Sequence, residues 1–266
     1  MKPTFGQEIR AVAANWTPLI VLAIALSGFV SPTASAADKA DKKDKSKPAP
    51  GQTVDSGAFG VFVKGQRVLT ETFKVQQAEG GSVIDSQLKE SAVSGPADQK
   101  SYLQITSNGE LIRYEWSQVS GGSLAVFPNN DFLMEKITTA AAGKPAEQAF
   151  LMPSTTNILD NNFFIQREVL AWRYLAADCK PEGGHLKCQQ GPQEFGALVP
   201  QDRTSLRVRI ELIGKEKVTI RGAERELLRL NLSGEDFEWA LWVDDHDQFK
   251  LIRVAIPADS TDVVRD

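Results

Sequence analysis

From Gly57 onward the large apolar side chains fall on every second position. Phe59, Val61 and Val63 alternate with Ala58, Gly60 and Phe62, and Lys64-Gly65-Gln66 reads as a turn into a second run at 68–75. A period of two places successive side chains on opposite faces, the pattern of a strand with one face buried. Further runs follow at 83–88, 102–106, 111–116, 124–127 and 132–137, separated by Gly80-Gly81, Ser94-Gly95-Pro96, Ser107-Asn108-Gly109, Gly121-Gly122 and Pro128-Asn129-Asn130. Asn108-Gly109 is the strongest hairpin signal in this half, because both residues tolerate the positive φ of a tight hairpin turn.

The period changes after Pro153. Leu159, Phe163, Leu170 and Tyr174 recur near helical spacing, and Ile158, Ile165, Val169 and Trp172 widen the stripe. With Ser154, Thr156 and Asn157 as cap residues and Asp160 near the positive end of the dipole, the spacing predicts one helix over 157–177, apolar around most of its circumference. Strands resume near Phe195 and continue at 206–213, 217–221, 226–232, 237–243, 249–256 and 262–265, with Leu228, Leu230 and Leu232 on one face. An open twisted sheet rarely exceeds about ten strands without curling or splitting. The fold class is therefore mainly β: a large curved antiparallel sheet, half-open barrel or sandwich-like, with one central helix packed on it. Two arrangements satisfy this, a sheet wrapped around the helix or two stacked sheets. The linker-like stretch 140–149 is too short to define a domain boundary, so 54–266 reads as a single domain.

The N-terminus departs from this picture. Residues 1–36 have the form of a signal peptide: Lys2 and Arg10, a twelve-residue apolar run at 19–30, then Ala34-Ser35-Ala36 as a small-x-small cleavage site. A spanning helix needs about 20 apolar residues, which leaves an uncleaved anchor, extended by 11–16, as the alternative. With no cysteine near the site, lipid modification is excluded, and the expected location is periplasmic or secreted after cleavage near Ala36. Residues 37–53 mix Lys, Asp, Pro and Gly without a large apolar side chain and read as a disordered tether. The whole chain carries 30 basic and 34 acidic residues, a net −4. Taking away the leader's +1 and the tether's +2 leaves −7 on residues 54–266, the wrong sign for a phosphate-binding nucleic-acid partner.

Candidate chemistry is sparse. Cys179 and Cys188 flank a loop with Gly183-Gly184 at its apex and predict a disulfide in an oxidising compartment. A metal site using His185 would have only three unevenly spaced ligands, and a redox Cys-x-x-Cys is absent. Asp244-Asp245-His246-Asp247 reads as an acidic hairpin turn, since the calcium-loop pattern is missing. Ser86 and Lys89 have Ser-x-x-Lys spacing, but on a strand these positions point to opposite faces. Glu235-Asp236 are adjacent in a turn, and the chain carries no nucleophile elbow, zinc helix or phosphate loop. The expectation is a non-enzyme without cofactor or metal. The aromatic residues say more. Phe163, Leu170, Trp172, Tyr174 and Trp239 are candidate lining for an apolar pocket between helix and sheet. Trp242 has the opposite parity to Trp239 and marks either a contact surface or a second packed layer.

The order Ala58-Phe59-Gly60-Val61-Phe62-Val63-Lys64-Gly65, a central helix, then Leu241-Trp242-Val243-Asp244-Asp245 and Leu251-Ile252-Arg253-Val254 resembles a group of bacterial exported β-rich domains whose sheet curls like that of the LolA/LolB lipoprotein carriers. The resemblance implies a half-open barrel with the helix against its concave side, where a lipid or lipoprotein acyl chain would sit. It brings no catalytic residues. This chain is longer than those carriers, has a disulfide-closed insert, and holds only three methionines, so a soft promiscuous lining is not evident. The functional expectation is a non-enzymatic exported protein binding an apolar or lipid-like ligand in the curved sheet. The alternative is a structural or protein-interaction module of the cell envelope, with an envelope protein as partner.

Overall fold

The period-two runs form strands that join edge to edge into one sheet of fifteen. The computed structural model describes residues 51–91, 98–139, 144–182, 185–189 and 191–266, all within the unit Ala49–Asp266. The signal peptide and residues 37–50 of the tether lie outside the described residues. The first half is a meander: β1 (Gln52–Val63), β2 (Gln66–Ala78), β3 (Gly81–Glu90), β4 (Gln99–Thr106), β5 (Leu111–Gln118), β6 (Gly122–Asn129), β7 (Phe132–Thr139) and β8 (Ala146–Phe150). After β9 (Asn157–Ile158) comes the helix α1 (Ile165–Asp178), then a separate two-stranded hairpin, β10 (Cys179–Glu182) and β11 (His185–Cys188). The second half comprises β12 (Gln193–Val199), β13 (Thr204–Ile220), β14 (Ala223–Ser233), β15 (Glu238–Asp244), β16 (Lys250–Ile256) and β17 (Thr261–Arg265).

The strand order is β8 to β1, then β17 to β12, then β9. The first and last strands of the domain therefore pair in mid-sheet, with Val61 opposite Val263. The described pairs are antiparallel apart from β9 with β12. The two ends, β8 and β9, do not meet, so the sheet stays open. It nevertheless wraps the helix. Backbone of α1 and its N-terminal approach is bonded by Glu71 on β2, helix side chains reach Leu251 on β16 and Leu212 on β13, and Tyr114 on β5 bonds Asp160. Strands that far apart in the order reach one 14-residue helix only if the sheet bends around it. Of the two arrangements the pattern allowed, the curved single sheet is the one formed.

Four boundaries differ from the sequence reading. β1 begins at Gln52, inside the stretch 37–53 read as tether, because Gln52 and Thr53 pair with Gln77 and Gln76 on β2. The helix starts at Ile165 rather than 157, because Asn157–Ile158 pairs with β12 and Asp160 turns the chain, its Oδ1 accepting from the N–H groups of Asn162 and Phe163. Residues 146–150, read as part of a linker, form the edge strand β8 beside β7. The separate runs 206–213 and 217–221 are one strand interrupted by a bulge between Leu212 and Gly214. Gly214 sits at φ 138°, backbone that a side chain would strain. The extra residue inverts the alternation. Ile210 and Leu212 share the helix side with Leu230 and Leu232, whereas Val218 and Ile220 emerge on the opposite side.

Candidate functional site

The helix side of the sheet holds two clusters of buried charge. At the start of α1, Glu71 reaches from β2 to accept from the N–H groups of Phe164 (2.6 Å) and Ile165 (3.3 Å). A strand carboxylate thus satisfies donors that a helix start leaves orphaned, at the positive end of its dipole. Arg167 lies over the rings of Phe164 and Trp239, 5.1 and 5.0 Å from their centroids, and donates to the carbonyls of Asp160 and Phe163. Asp160 accepts from the Tyr114 hydroxyl and the Gln201 amide. Burial pushes Glu71 up to about 7 against the lowering pull of the two helix N–H groups and Arg167. The same burial raises Asp160 and lowers Arg167 to about 10.

The second cluster ties the ends of the domain to the helix. The Arg265 guanidinium on β17 bonds both carboxylate oxygens of Asp55 on β1 (2.5 and 2.6 Å) and Oε2 of Glu168 on α1 (3.0 Å). It also lies over Phe73, 5.0 Å from the ring centroid, and Phe59. Glu168 Oε2 additionally accepts from the Leu251 N–H. Burial, then Asp55, holds the Glu168 carboxyl well above the usual range. These groups are buried and tied to the helix and its neighbouring strands, although Glu168 Oε1 and Arg167 Nε have no hydrogen-bond partner among the described residues. Glu135 on β7 is different: it is wholly buried, neither of its carboxylate oxygens has a partner, and burial raises it to about 7 despite the nearby Arg203 charge.

The expected pocket-lining residues all lie in or against this helix layer. Phe163, Leu170 and Tyr174 are at most 1% exposed, and the Tyr174 hydroxyl accepts from the Leu212 N–H. Trp172 is half-buried and donates its indole N–H to the Phe249 carbonyl; Trp239 packs between Phe237 and Arg167. The hollow described on this side, between α1 and β4, β5 and β9, measures about 10 Å³. That volume holds one water at most.

Trp242 belongs to the second layer. On the side away from the helix, Val218, Ile220, Leu227, Ala240 and Ile252 bury it, Arg229 and Arg253 flank its ring, and its indole donates to Glu216. The bulge at Gly214 creates this layer by carrying the end of the β13–β14 hairpin over β15 and β16. Cys179 and Cys188 face each other across β10 and β11 and are disulfide-bonded. Ser86 is buried on the helix side of β3 while Lys89 lies on the other, which removes any Ser–Lys pairing. In the β15–β16 turn, the ligand atoms of Asp244, Asp245 and His246 converge within 4.8 Å. Arg225, Lys215 and Lys250 already pair with Asp244, Asp245 and Asp247.

The large hollow lies on the opposite face. Across β2 to β6 a groove of about 680 Å³ runs over the strands. Register arranges its side chains in two rows. One row is Lys74, Asp85, Tyr102 and Glu115, each directly opposite the next. The other, two residues along, is Thr72, Gln87, Lys100, Ser117 and Ser123. Phe73, Ser86, Ser101, Trp116 and Leu124 between the rows turn toward the helix side and give the groove its backbone floor. The Tyr102 hydroxyl donates to Gln104 two residues on (3.2 Å), so the ring leans along its own strand. Burial, then Asp85 and Glu115, raises the Tyr102 phenol. Sequence reasoning passed over these residues because polar side chains on the outward parity of a strand look like ordinary solvated positions. Only the register, which stacks five strands' worth of them side by side, reveals the rows.

Compared with known family models, curated proteins and solved structures, the chain matches none. What stands is the class that fold and geometry define: a mainly β protein whose large open sheet carries a helix on one face and, on the other, a groove edged by rows of mostly polar side chains. No helix among the described residues is long and apolar enough to cross a membrane.

Proposed function

We propose that this chain is an exported, non-catalytic binding protein and that its ligand seats in the groove over β2 to β6. The observation that carries this reading is the contrast in space: about 680 Å³ on the helix-free face against about 10 Å³ beneath the helix. Small-molecule sites are concavities of roughly 300–1,000 Å³, and the groove falls in that range. The disulfide, which persists in oxidising compartments, supports export, as does the signal-like leader. The absence of a catalytic role is supported by where the perturbed carboxylates Glu71 and Glu168 sit, sealed under the sheet, the first bonded to helix backbone and the second to strand backbone.

A carrier of the LolA/LolB kind would instead seat an acyl chain under α1, which requires the helix to lift off its clusters. Native mass spectrometry of protein purified without detergent and then offered palmitate and phosphatidylethanolamine separates the two sites. The groove reading expects no retained lipid. Retention accompanied by increased hydrogen exchange in 165–178 would move the site beneath the helix. The interaction-module reading is favoured by one observation: β8 pairs only with β7 among the described residues, and Leu151 beside it is 80% exposed. A charge placed in β8 would abolish crosslinking to an envelope partner under that reading and leave groove binding unchanged.

A further inference from the structure

We infer that the groove takes a neutral, polyhydroxylated ligand, a saccharide chain laid across the strands with one ring stacked on Tyr102. The inference rests on the binding reading above and names the class of ligand. Three features of the groove carry it.

The first is charge. Lys74 stands opposite Asp85 and Arg113 pairs with Glu115, so these charges are matched within the groove and Lys100 leaves a small positive excess inside a domain of net −7. An anion would meet the field of the whole domain, and a cation would meet the groove's own positive excess. A neutral ligand with many hydroxyls encounters neither penalty.

The second is hydrogen-bonding capacity. The rows offer ammonium groups that only donate, beside hydroxyl and amide groups that do both. Such a mixture suits hydroxyls, which donate and accept at once, and suits an acyl chain poorly because every polar group it covers loses its water.

The third is Tyr102. It stands inside its row, between Asp85 and Glu115, and its hydroxyl is held by Gln104, leaving the half-buried ring among the groove-lining groups. Aromatic rings present a flat apolar body with a polar tip, the complement of a sugar ring, whose C–H groups form an apolar face bordered by hydroxyls. Five strands spaced about 4.8 Å apart make a platform about 19 Å across, and the rows lie about 7 Å apart along the strands. These proportions fit an extended oligomer better than a single ring.

The test is calorimetric titration of the full-length mature protein with maltohexaose, cellohexaose and chitohexaose, alongside palmitate and anionic phosphatidylglycerol vesicles. The variants are Tyr102→Ala and Tyr102→Phe, each checked for an unchanged melting midpoint. The expected result is binding of at least one oligosaccharide with a Kd of about 1 mM or tighter. Tyr102→Ala should weaken it by about two- to tenfold and Tyr102→Phe should restore it. No binding of any of the three sugars overturns the saccharide assignment, as does equal binding by Tyr102→Ala. Vesicle binding lost in Lys74→Glu with Lys100→Glu, in the absence of sugar binding, overturns the ligand class while keeping the groove. Palmitate binding that protects 165–178 overturns the groove itself.

Discussion

The two faces of this sheet are built from the same strands, one residue apart, and they do opposite things with charge. On β2, Glu71 and Phe73 turn to the helix, and Thr72 and Lys74 turn to the groove. Glu71 is stripped of water, capped onto helix N–H groups and pushed up to about 7. Asp85 and Glu115, on the outward parity of neighbouring strands, remain in a wide groove beside Tyr102. Burial makes the first carboxylate a strut. In the open groove Glu115 instead pairs with Arg113 and Asp85 lies opposite Lys74. The same comparison explains why the helix side, with the larger apolar surface, is the poorer candidate for a pocket: its apolar residues are spent on one another and on the stems of Arg167 and Arg265.

The comparison breaks most severely at Arg265. Removing this guanidinium takes the nearest cation from Asp55 and Glu168, whose side chains are 2% and 0% exposed, and leaves only Lys250, 3.8 Å from Asp55. Losing one partner of a buried ion pair costs about 3–5 kcal/mol. Arg265→Ala should lower the melting midpoint by about 6–20 °C at about 2–4 °C per kcal/mol. A drop of only a degree or two, measured by differential scanning calorimetry, would mean the cluster does not hold the helix. Next comes the disulfide: Cys179→Ser with Cys188→Ser should cost about 2.5–3 kcal/mol by loop entropy. Urea titration measures this, and because the hairpin β10–β11 is a separate sheet, groove binding should be unaffected.

Glu135 supplies a signed pH effect. Its carboxyl and that of Glu71 are raised from 4.5 to about 7 in the folded protein. Between those values the folded state holds protons that the unfolded state has released. These two groups therefore favour folding fully below about pH 4.5, and that contribution declines as the pH rises through about 7. Glu135→Gln removes the unpartnered carboxylate, so its melting midpoint should exceed the wild type's at pH 8 and approach it at pH 5. Identical pH profiles for the two proteins would place the carboxylate in contact with water. The smallest effect belongs to the groove: Tyr102→Ala should change stability by no more than about 0.5 kcal/mol, and a larger loss in chemical denaturation would make Tyr102 a packing residue.

Much of the architecture was legible because it depends on local alternation. The strands around Phe59–Val63, Leu228–Leu232 and Phe237–Leu241, the Asn108-Gly109 turn and the Cys179–Cys188 bridge all follow from residues near one another in the chain. The helix start was not, because its cap is Glu71, 93 residues before Phe164. Ser154, Thr156 and Asn157 have cap chemistry, but Asn157 is claimed by pairing with β12. The single long β13 was also hidden, since a bulge at Gly214 has the sequence appearance of a turn. The candidate site was the least legible part. Phe163 and Tyr174, which looked like lining, are core, Trp172 and Trp239 are half-buried, and the groove depends on a register across five strands that no single stretch encodes.

The central claim, that the helix face is structural and the opposite face binds, is tested most directly by amide chemical-shift mapping of labelled protein saturated with the oligosaccharide of highest affinity. The account predicts shifts at Thr72, Lys74, Asp85, Gln87, Lys100, Tyr102 and their cross-strand neighbours, with residues 165–178 silent. Shifts concentrated in 165–178, with the strand amides unmoved, would contradict it.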